Sequence, residues 1–239
     1  MDRQEIEWQY EAPHGLEKVE EWLDGRDPEA FGLAVFGSSF KEFTDIYYDT
    51  EDWRLYGAGY ALRIRWGTLN SGSEATMKSL TLAEGNLHRR RETSELLESN
   101  DLGALIRASG SVGIRLRALL GPRELRPIFE IHTRRQTFDL LLHEQPAEAR
   151  VGGSAEAVRV GEVALDDSEI PLGDESAHLT RVEVEVDASA TTASSRLEDF
   201  AKGMERSLGL RPTTISKFEA GLSVTGQNPS VEAKAGKED

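Results

Sequence analysis

The chain has 239 residues, no cysteine and a formal net charge of −15. A chain of this length can bury a sizeable core, and 38% hydrophobic residues is too many for a wholly disordered protein. The lack of cysteine excludes disulfides, thiolate metal sites and cysteine nucleophiles. No apolar run approaches the roughly 18 residues of a membrane span. The acidic total argues against nucleic acid as a partner, since its phosphates require a basic surface.

The charge is segregated along the chain. Residues 1–52 hold four basic and fifteen acidic residues, and residues 147–199 hold four basic and thirteen acidic residues. Residues 54–91 and residues 107–135 each hold seven basic and two acidic residues. Blocks of this kind are most often solvated surface patches, but they can also converge from different strands into one site.

Alternation of apolar and polar residues predicts β-strands along most of the chain. In chain order, strands are predicted at residues 4–11, 43–49, 60–66, 74–80, 158–165 and 179–187. Residues 87–96 are polar and predicted to be extended. Residues 128–134 and 136–143 are predicted to form two strands or a bent hairpin.

Helical spacing of apolar residues predicts three helices. They lie at residues 15–24, 100–120 and 190–208, the second with a Gly/Ser interruption. Residues 213–222 are predicted to end the fold in a short turn. The polar, aperiodic segment after Val224 predicts a disordered tail at 224–239, after a single domain at 1–223.

Several predicted strands carry like charges on one face. Three strands show such pairs: Glu5 with Glu7, Arg63 with Arg65, and Glu183 with Glu185. A sheet with one solvated face gives the same alternation, and that alternative stays open. If the sheet closes into a barrel, the charged face becomes the lumen. Carboxylate pairs from two strands could then hold a hard divalent cation, while arginines bind a polyanion.

Six short motifs occur in an order that resembles the CYTH family. This family, also called the triphosphate tunnel metalloenzymes, includes class IV adenylyl cyclases and thiamine triphosphatases. The motifs are EIEWQ (5–9), IYYDTEDWRLYGAGYALRIR (46–65), TMK (76–78), HTRR (132–135), VEVEVD (182–187) and ISKFEAGL (215–222). The resemblance implies an α+β fold that is mainly antiparallel β, a closed eight-stranded β-barrel with flanking helices and a tunnel for triphosphate.

The resemblance also implies roles for individual residues. The metal, Mg²⁺ or Mn²⁺, would be bound by Glu5, Glu7, Glu183 and Glu185, with Glu92 as a further candidate for which Glu95 competes. The triphosphate would be bound by Arg63, Arg65, Lys78, Arg134 and Lys217. The catalytic positions would be those of the first motif, Glu5, Glu7 and Gln9.

Gln9 departs from the family signature E-x-E-x-K, which has Lys at this position. A lysine would supply a positive charge or a tuned amine near the attacking water. Glutamine can form hydrogen bonds but has neither property. Catalysis would then be slower, would rely on metal-activated water alone, or would be lost while binding persists. The substitution Gln9→Lys is therefore expected to raise the rate of hydrolysis.

The expected function is metal-dependent hydrolysis of a phosphoanhydride bond in a triphosphate. Inorganic triphosphate is the first choice of substrate, followed by thiamine triphosphate and then nucleoside triphosphates. The alternatives are a polyphosphate- or nucleotide-binding module with little or no turnover, a class IV-type adenylyl cyclase, and a purely structural β-domain. We expect a cytoplasmic monomer or homodimer whose partner is a small-molecule triphosphate, without nucleic acid or membrane.

Overall fold

Strands dominate the architecture. A computed structural model describes residues 2–25, 27–67, 72–80, 84–143, 157–227 and 229. The strands are β1 (Asp2–Glu11), β2 (Leu33–Asp49), β3 (Tyr60–Gly67), β4 (Ser73–Ser79), β5 (Leu87–Leu97), β6 (Arg126–His143), β7 (Ala157–Leu172), β8 (Glu175–Val186) and β9 (Arg211–Pro212). The α-helices are α1 (Glu17–Asp24), α2 (Arg54–Gly57), α3 (Leu102–Arg107), α4 (Ser111–Leu120), α5 (Ser194–Leu208) and α6 (Lys217–Val224). Two 3₁₀-helices lie at Asp27–Phe31 and Thr191–Ala193.

Eight of the strands form a closed, hydrogen-bonded ring. Their order is β5–β4–β3–β2–β6–β7–β8–β1, and β1 also pairs with β5. Every pairing in the ring is antiparallel. Because side chains alternate along a strand, one face of each strand points into the ring and the other points outward. The predicted fold, mainly antiparallel β with eight strands and flanking helices, is confirmed.

Helices cover the outward faces of the strands. On one wall, α1 and α5 pack together, and the rings of Trp22 and Phe200 lie 5.4 Å apart. On another wall, Leu105 of α3 and Leu116 of α4 are fully buried against outward residues of β3 and β4. Two of the three apolar clusters therefore lie between the ring and its helices, and the third contains Tyr47, Phe129 and Phe218.

Helix α6 lies against the inner side of the ring. Ser216 and Glu219 form a capping box at its start, with Glu219 accepting from the Ser216 backbone N–H at 2.8 Å. Phe218 packs on the rings of Tyr47 and Phe129, at centroid distances of 5.3 and 6.0 Å. The segment 213–222 was predicted to be a turn, but its second half is this capped helix.

Two further elements differ from the sequence prediction. The segments 128–134 and 136–143 belong to one strand, β6, because its register with β2 runs on through Arg134, Arg135 and Gln136. The segment 100–120 contains two helices, α3 and α4, separated at Gly110. Most of the predicted tail, 224–239, lies outside the described residues. Among the described residues, none of the helices combines the length and apolarity that crossing a bilayer requires.

Candidate functional site

The ring encloses a cavity of about 420 Å³ that is lined mainly by charged side chains. Among the lining residues are Arg3, Glu5, Glu7, Gln9, Arg63, Arg65, Lys78, Arg90, Glu92, Arg135, Glu183, Glu185 and Lys217. The charged strand faces therefore point inward rather than into bulk solvent. The cavity contains every site residue predicted from the sequence except Arg134 and the competing candidate Glu95.

Three carboxylates lie side by side on one wall of the cavity. Glu5 and Glu7 alternate along β1, and Glu185 lies directly opposite Glu7 on β8. One carboxylate oxygen from each lies within 4.8 Å of the other two. We call Glu5, Glu7 and Glu185 the carboxylate cluster.

The carboxylate cluster concentrates negative charge in a buried place. Burial and the charge of Glu5 raise the pKa of Glu7 to about 7, although Arg90 acts in the opposite direction. Burial and Glu5 likewise raise the pKa of Glu185 to about 7, against the effect of Arg3. The Glu5 carboxylate accepts a hydrogen bond from Lys78 at 2.6 Å through Oε1, and Arg90 Nη2 lies 3.3 Å from its buried Oε2. Clustered carboxylate oxygens are the ligands that a hard divalent cation prefers.

The structure does not bring Glu183 into the carboxylate cluster, where the sequence predicted a metal ligand. The Glu183 carboxylate accepts hydrogen bonds from Lys217 at 2.6 Å and from Arg135 at 2.7 Å. Burial alone would raise the pKa of Glu183, but these two cations hold it well below its usual value. Glu183 therefore fits a role in orienting the two cations.

Glu92 also lines the cavity, but its carboxylate is occupied by cations. Lys78 Nζ lies 3.0 Å from Glu92 Oε2, and Arg3 donates to Oε1 at 3.2 Å. Burial opposes ionisation, yet Lys78 and neighbouring arginines keep the pKa of Glu92 below its usual value. Its position permits contact with a bound ion, although it is not one of the clustered carboxylates.

Glu95, the competing candidate, has a structural role outside the cavity. It accepts hydrogen bonds from the backbone N–H of Gly110 and, at 2.9 Å, from that of Gly113, at the start of α4. Replacing Glu95 with Ala should lower the free energy of unfolding by about 1–2 kcal/mol, because helix N–H groups lose their acceptor. Denaturant unfolding measures the loss, and catalytic activity per folded molecule should not change. A fall in activity at unchanged stability would contradict this assignment.

Arg63 and Arg65 share one buried carboxylate that sequence reasoning missed. Asp45 on β2 accepts from Arg63 at 3.0 Å and from Arg65 at 2.7 and 2.8 Å. Burial opposes the Asp45 charge, but the two arginines hold its pKa well below the usual range. Asp45 alternates with Tyr47 on the inward face of β2, so period-two alternation within the predicted strand 43–49 could have identified it.

Arg134 does not reach the cavity, and this prediction needs correction. Its side chain is 67% exposed and pairs with Asp167 on the outer face of the ring. The next residue, Arg135, points inward and donates to Asp166 at 2.6 Å. Because the two arginines are adjacent on one continuous strand, only one of them can face the cavity. Splitting β6 at residue 135 in the sequence prediction obscured this alternation.

Arg90 is a second inward arginine that sequence reasoning did not assign. On β5, His88, Arg90 and Glu92 are buried, whereas Arg89 and Arg91 between them are exposed. Arg90 Nη2 contacts Glu7 Oε1 and lies 3.3 Å from Glu5 Oε2. Side chains alternate along HRRR (88–91), and Arg90 is two residues from Glu92. An inward Glu92 therefore predicts an inward Arg90.

Gln9 lies beside the carboxylate cluster, as the first motif predicted. Its side chain is buried, and Nε2 donates to Glu7 Oε1 at 2.7 Å. The other amide atom, Oε1, is buried without a hydrogen-bond partner among the described residues. Gln9 therefore has a free acceptor at the cavity.

Comparisons with known proteins agree with this architecture. A family model of the CYTH domain matches residues 4–219, and no curated protein matches the sequence. A Hippeastrum structure, described as a candidate adenylyl cyclase with a dominant triphosphatase activity, is 18% identical with a TM-score of 0.55, covering 92% of this chain and 96% of that one. A candidate adenylate cyclase from Bacillus halodurans is 21% identical with a TM-score of 0.54, covering 92% and 97%. The family match spans most of the chain, and the chain therefore belongs to the CYTH domain family.

Proposed function

We propose that the protein is a metal-dependent hydrolase that cleaves a phosphoanhydride bond of a triphosphate with water. The observation that carries this proposal is one enclosed cavity in which the carboxylate cluster faces several arginines and lysines. Carboxylates fit a divalent cation, and guanidinium groups fit phosphate oxygens. A metal-bound polyanion would satisfy both sets of charges together.

The phosphate-binding role falls on cations contributed by several elements. They are Arg63 and Arg65 of β3, Lys78 of β4, Arg135 of β6 and Lys217 of α6. Their charges are already balanced by buried carboxylates such as Asp45, Asp166 and Glu183. These partners fix the cations in place before substrate arrives, which limits the reorganisation needed to stabilise charge on the phosphoryl group.

The carboxylate cluster would hold Mg²⁺ or Mn²⁺. When bound, such an ion neutralises phosphoryl oxygens and lowers the pKa of coordinated water. The protein itself would orient the polyphosphate through the arginines and lysines that line the cavity. It resembles other phosphoryl-transfer sites in that positioning and electrostatics dominate.

The lining of the cavity favours a substrate without a large organic group. Tyr47 and Phe218 are the aromatic residues among the lining side chains of the described structure. Inorganic triphosphate is therefore our first choice, with thiamine triphosphate second and nucleoside triphosphates third. The triphosphatase activity attributed to the Hippeastrum protein supports hydrolysis over cyclisation of ATP.

A substrate panel tests the proposal. Phosphate release should be measured with triphosphate, thiamine triphosphate and ATP, each with Mg²⁺, Mn²⁺ or EDTA. We expect inorganic triphosphate to be hydrolysed fastest, and EDTA to reduce the rate by about a hundredfold or more, because the metal neutralises phosphoryl charge. Formation of cyclic AMP without phosphate release from triphosphate would favour the cyclase alternative.

A binding module without turnover is the second candidate, and Gln9 is the observation that favours it. Its amide donates to Glu7, so it contributes no charge and no base at the first motif. Triphosphate binding in titration calorimetry, with no phosphate release in any metal, would establish this alternative and exclude the hydrolase.

A further inference from the structure

Arg90 and Gln9 converge on a single atom, Oε1 of Glu7. Gln9 Nε2 donates to this oxygen at 2.7 Å, and Arg90 Nη2 contacts the same oxygen from the opposite strand, β5. Arg90 lies directly across from Glu5 in the β1–β5 register. A neutral amide and a guanidinium thus share the position next to the carboxylate cluster.

Arg90 is a buried cation, and its location is specific. The residue is 9% exposed, and it extends from β5 to both Glu5 and Glu7. Burying an arginine requires nearby negative charge, which the carboxylate cluster provides. The ammonium group of a lysine at position 9 would contact the same Glu7 oxygen. Arg90 therefore already fills the electrostatic role that a lysine at position 9 would have.

Both side chains keep one hydrogen-bonding atom unused. Gln9 Oε1 and Arg90 Nε are buried and have no partner among the described residues, and both residues line the cavity. A buried acceptor and a buried donor without partners are costly unless a ligand satisfies them. Water both donates and accepts hydrogen bonds, so it can satisfy either atom.

We propose that Arg90 and Gln9 divide between two strands the role of a single lysine at position 9. Arg90 is a positioning residue whose fixed charge holds Glu7 in place, and Gln9 orients the attacking water through Oε1. This inference rests on the proposed hydrolase function. An amide that orients a nucleophilic water is a known device in phosphoryl transfer.

Hydrolysis of the terminal anhydride bond does not require a base at position 9. The water oxygen forms a bond to the terminal phosphorus, and the anhydride P–O bond breaks with its electron pair going to the leaving diphosphate. Gln9 Oε1 accepts a hydrogen bond from the water but does not take its proton, because an amide oxygen is too weakly basic. The proton is transferred to an oxygen of the leaving diphosphate.

From these contacts we now expect Gln9→Lys to lower the rate of hydrolysis rather than to raise it. A lysine there would place its ammonium group beside the Arg90 guanidinium on the same Glu7 oxygen, and like charges at such a distance repel. The single variant should therefore hydrolyse triphosphate roughly tenfold more slowly than the unmodified protein, rather than faster. Exchanging the two groups, in Gln9→Lys with Arg90→Gln, moves the charge from β5 to β1 and the amide acceptor from β1 to β5, and should recover most of the loss.

The first test is steady-state hydrolysis of triphosphate by four variants and one control variant. Gln9→Lys and Arg90→Gln should each lose about tenfold in kcat/KM, and the double variant should exceed both. Gln9→Met, which keeps the size and loses the acceptor, should lower kcat about tenfold with little change in KM. Arg91→Gln, an exposed neighbour on the same strand, is the control and should match the unmodified protein. A double variant no better than Arg90→Gln would overturn the proposal.

The second test does not depend on activity. In EDTA, Arg90→Gln should lower the Tm by several degrees, because Glu5 and Glu7 lose their buried cation, and the added Gln9→Lys should restore most of it. If the unmodified protein shows no hydrolysis but the Tm is restored, the hydrolase proposal fails while the shared charge position stands. If the Tm is not restored, the charge assignment itself is wrong.

Discussion

Replacing Glu7 with Gln is expected to stabilise the metal-free protein and to abolish its stabilisation by Mn²⁺. Burial and the charge of Glu5 raise the pKa of Glu7 from a model-compound value of 4.5 to about 7. Ionising this carboxylate in the folded state therefore costs on the order of 3 kcal/mol at pH values above both. Glutamine removes that cost. It also removes one of the three carboxylates that would bind the metal.

The sign of the pH dependence follows from the raised pKa values. A carboxyl group with a higher pKa in the folded state holds its proton more tightly there, so its penalty is absent below about pH 4.5 and complete above about pH 7. Glu185 behaves in the same way. The metal-free protein should lose stability as the pH rises through this window. The increase in Tm caused by Mn²⁺ should grow over the same range.

Thermal unfolding near pH 8, with EDTA or with Mn²⁺, measures both effects. Glu7→Gln should melt a few degrees higher than the unmodified protein in EDTA and should show no further rise with Mn²⁺. Triphosphate hydrolysis should fall by about a hundredfold or more. Glu198→Gln, which removes an exposed carboxylate paired with Lys202 on α5, is the control for loss of one charge. Unchanged Mn²⁺ affinity in Glu7→Gln would show that the cation lies elsewhere.

Alternation was sufficient to predict the face of each strand, whereas closure of the sheet into a ring was predicted from the family resemblance. Alternation alone places Glu5, Glu7 and Gln9 on one face of β1, and Glu183 and Glu185 on one face of β8. Since side chains on one face of a strand must share an environment, closure of the sheet gathers them in the interior. Inward strand faces account for part of the charge segregation, but of the seven basic residues in 107–135, a segment that the structure describes fully, only Arg135 lines the cavity.

The remaining features depend on pairing across strands, which one sequence does not specify. Whether Glu183 joins Glu185 or pairs with cations depends on Lys217, which comes from a helix that local propensity did not indicate. The inward position of Arg135 depends on β6 continuing without a break alongside β2. Arg90 reaches Glu7 only because β1 and β5 close the ring.

Arg135→Gln and Arg134→Gln, one residue apart, should give opposite results. Arg135 is one of the cations facing the cavity and is 15% exposed, whereas Arg134 is 67% exposed on the outer face. Loss of a guanidinium from the proposed phosphate site should weaken triphosphate binding by roughly tenfold to a hundredfold. Arg134→Gln should leave binding unchanged, because exposed pairs contribute little.

Arg135→Gln should also reduce stability, because Asp166 and Glu183 would share only Lys217. Leaving a buried carboxylate short of a partner costs about 3–5 kcal/mol at most, and the remaining Lys217 offsets part of this. A variant that unfolds would lose binding for a trivial reason. The added substitution Asp166→Asn separates the two effects, since it neutralises the carboxylate that is fully buried.

The double variant Arg135→Gln with Asp166→Asn should regain most of the lost Tm but not the lost triphosphate affinity. Charge balance is restored inside the ring, whereas the donor to phosphate is still missing. Thermal unfolding and titration calorimetry with triphosphate give the two quantities independently. Recovery of both would mean that Arg135 only balances Asp166, and the phosphate site would then consist of Arg63, Arg65, Lys78 and Lys217.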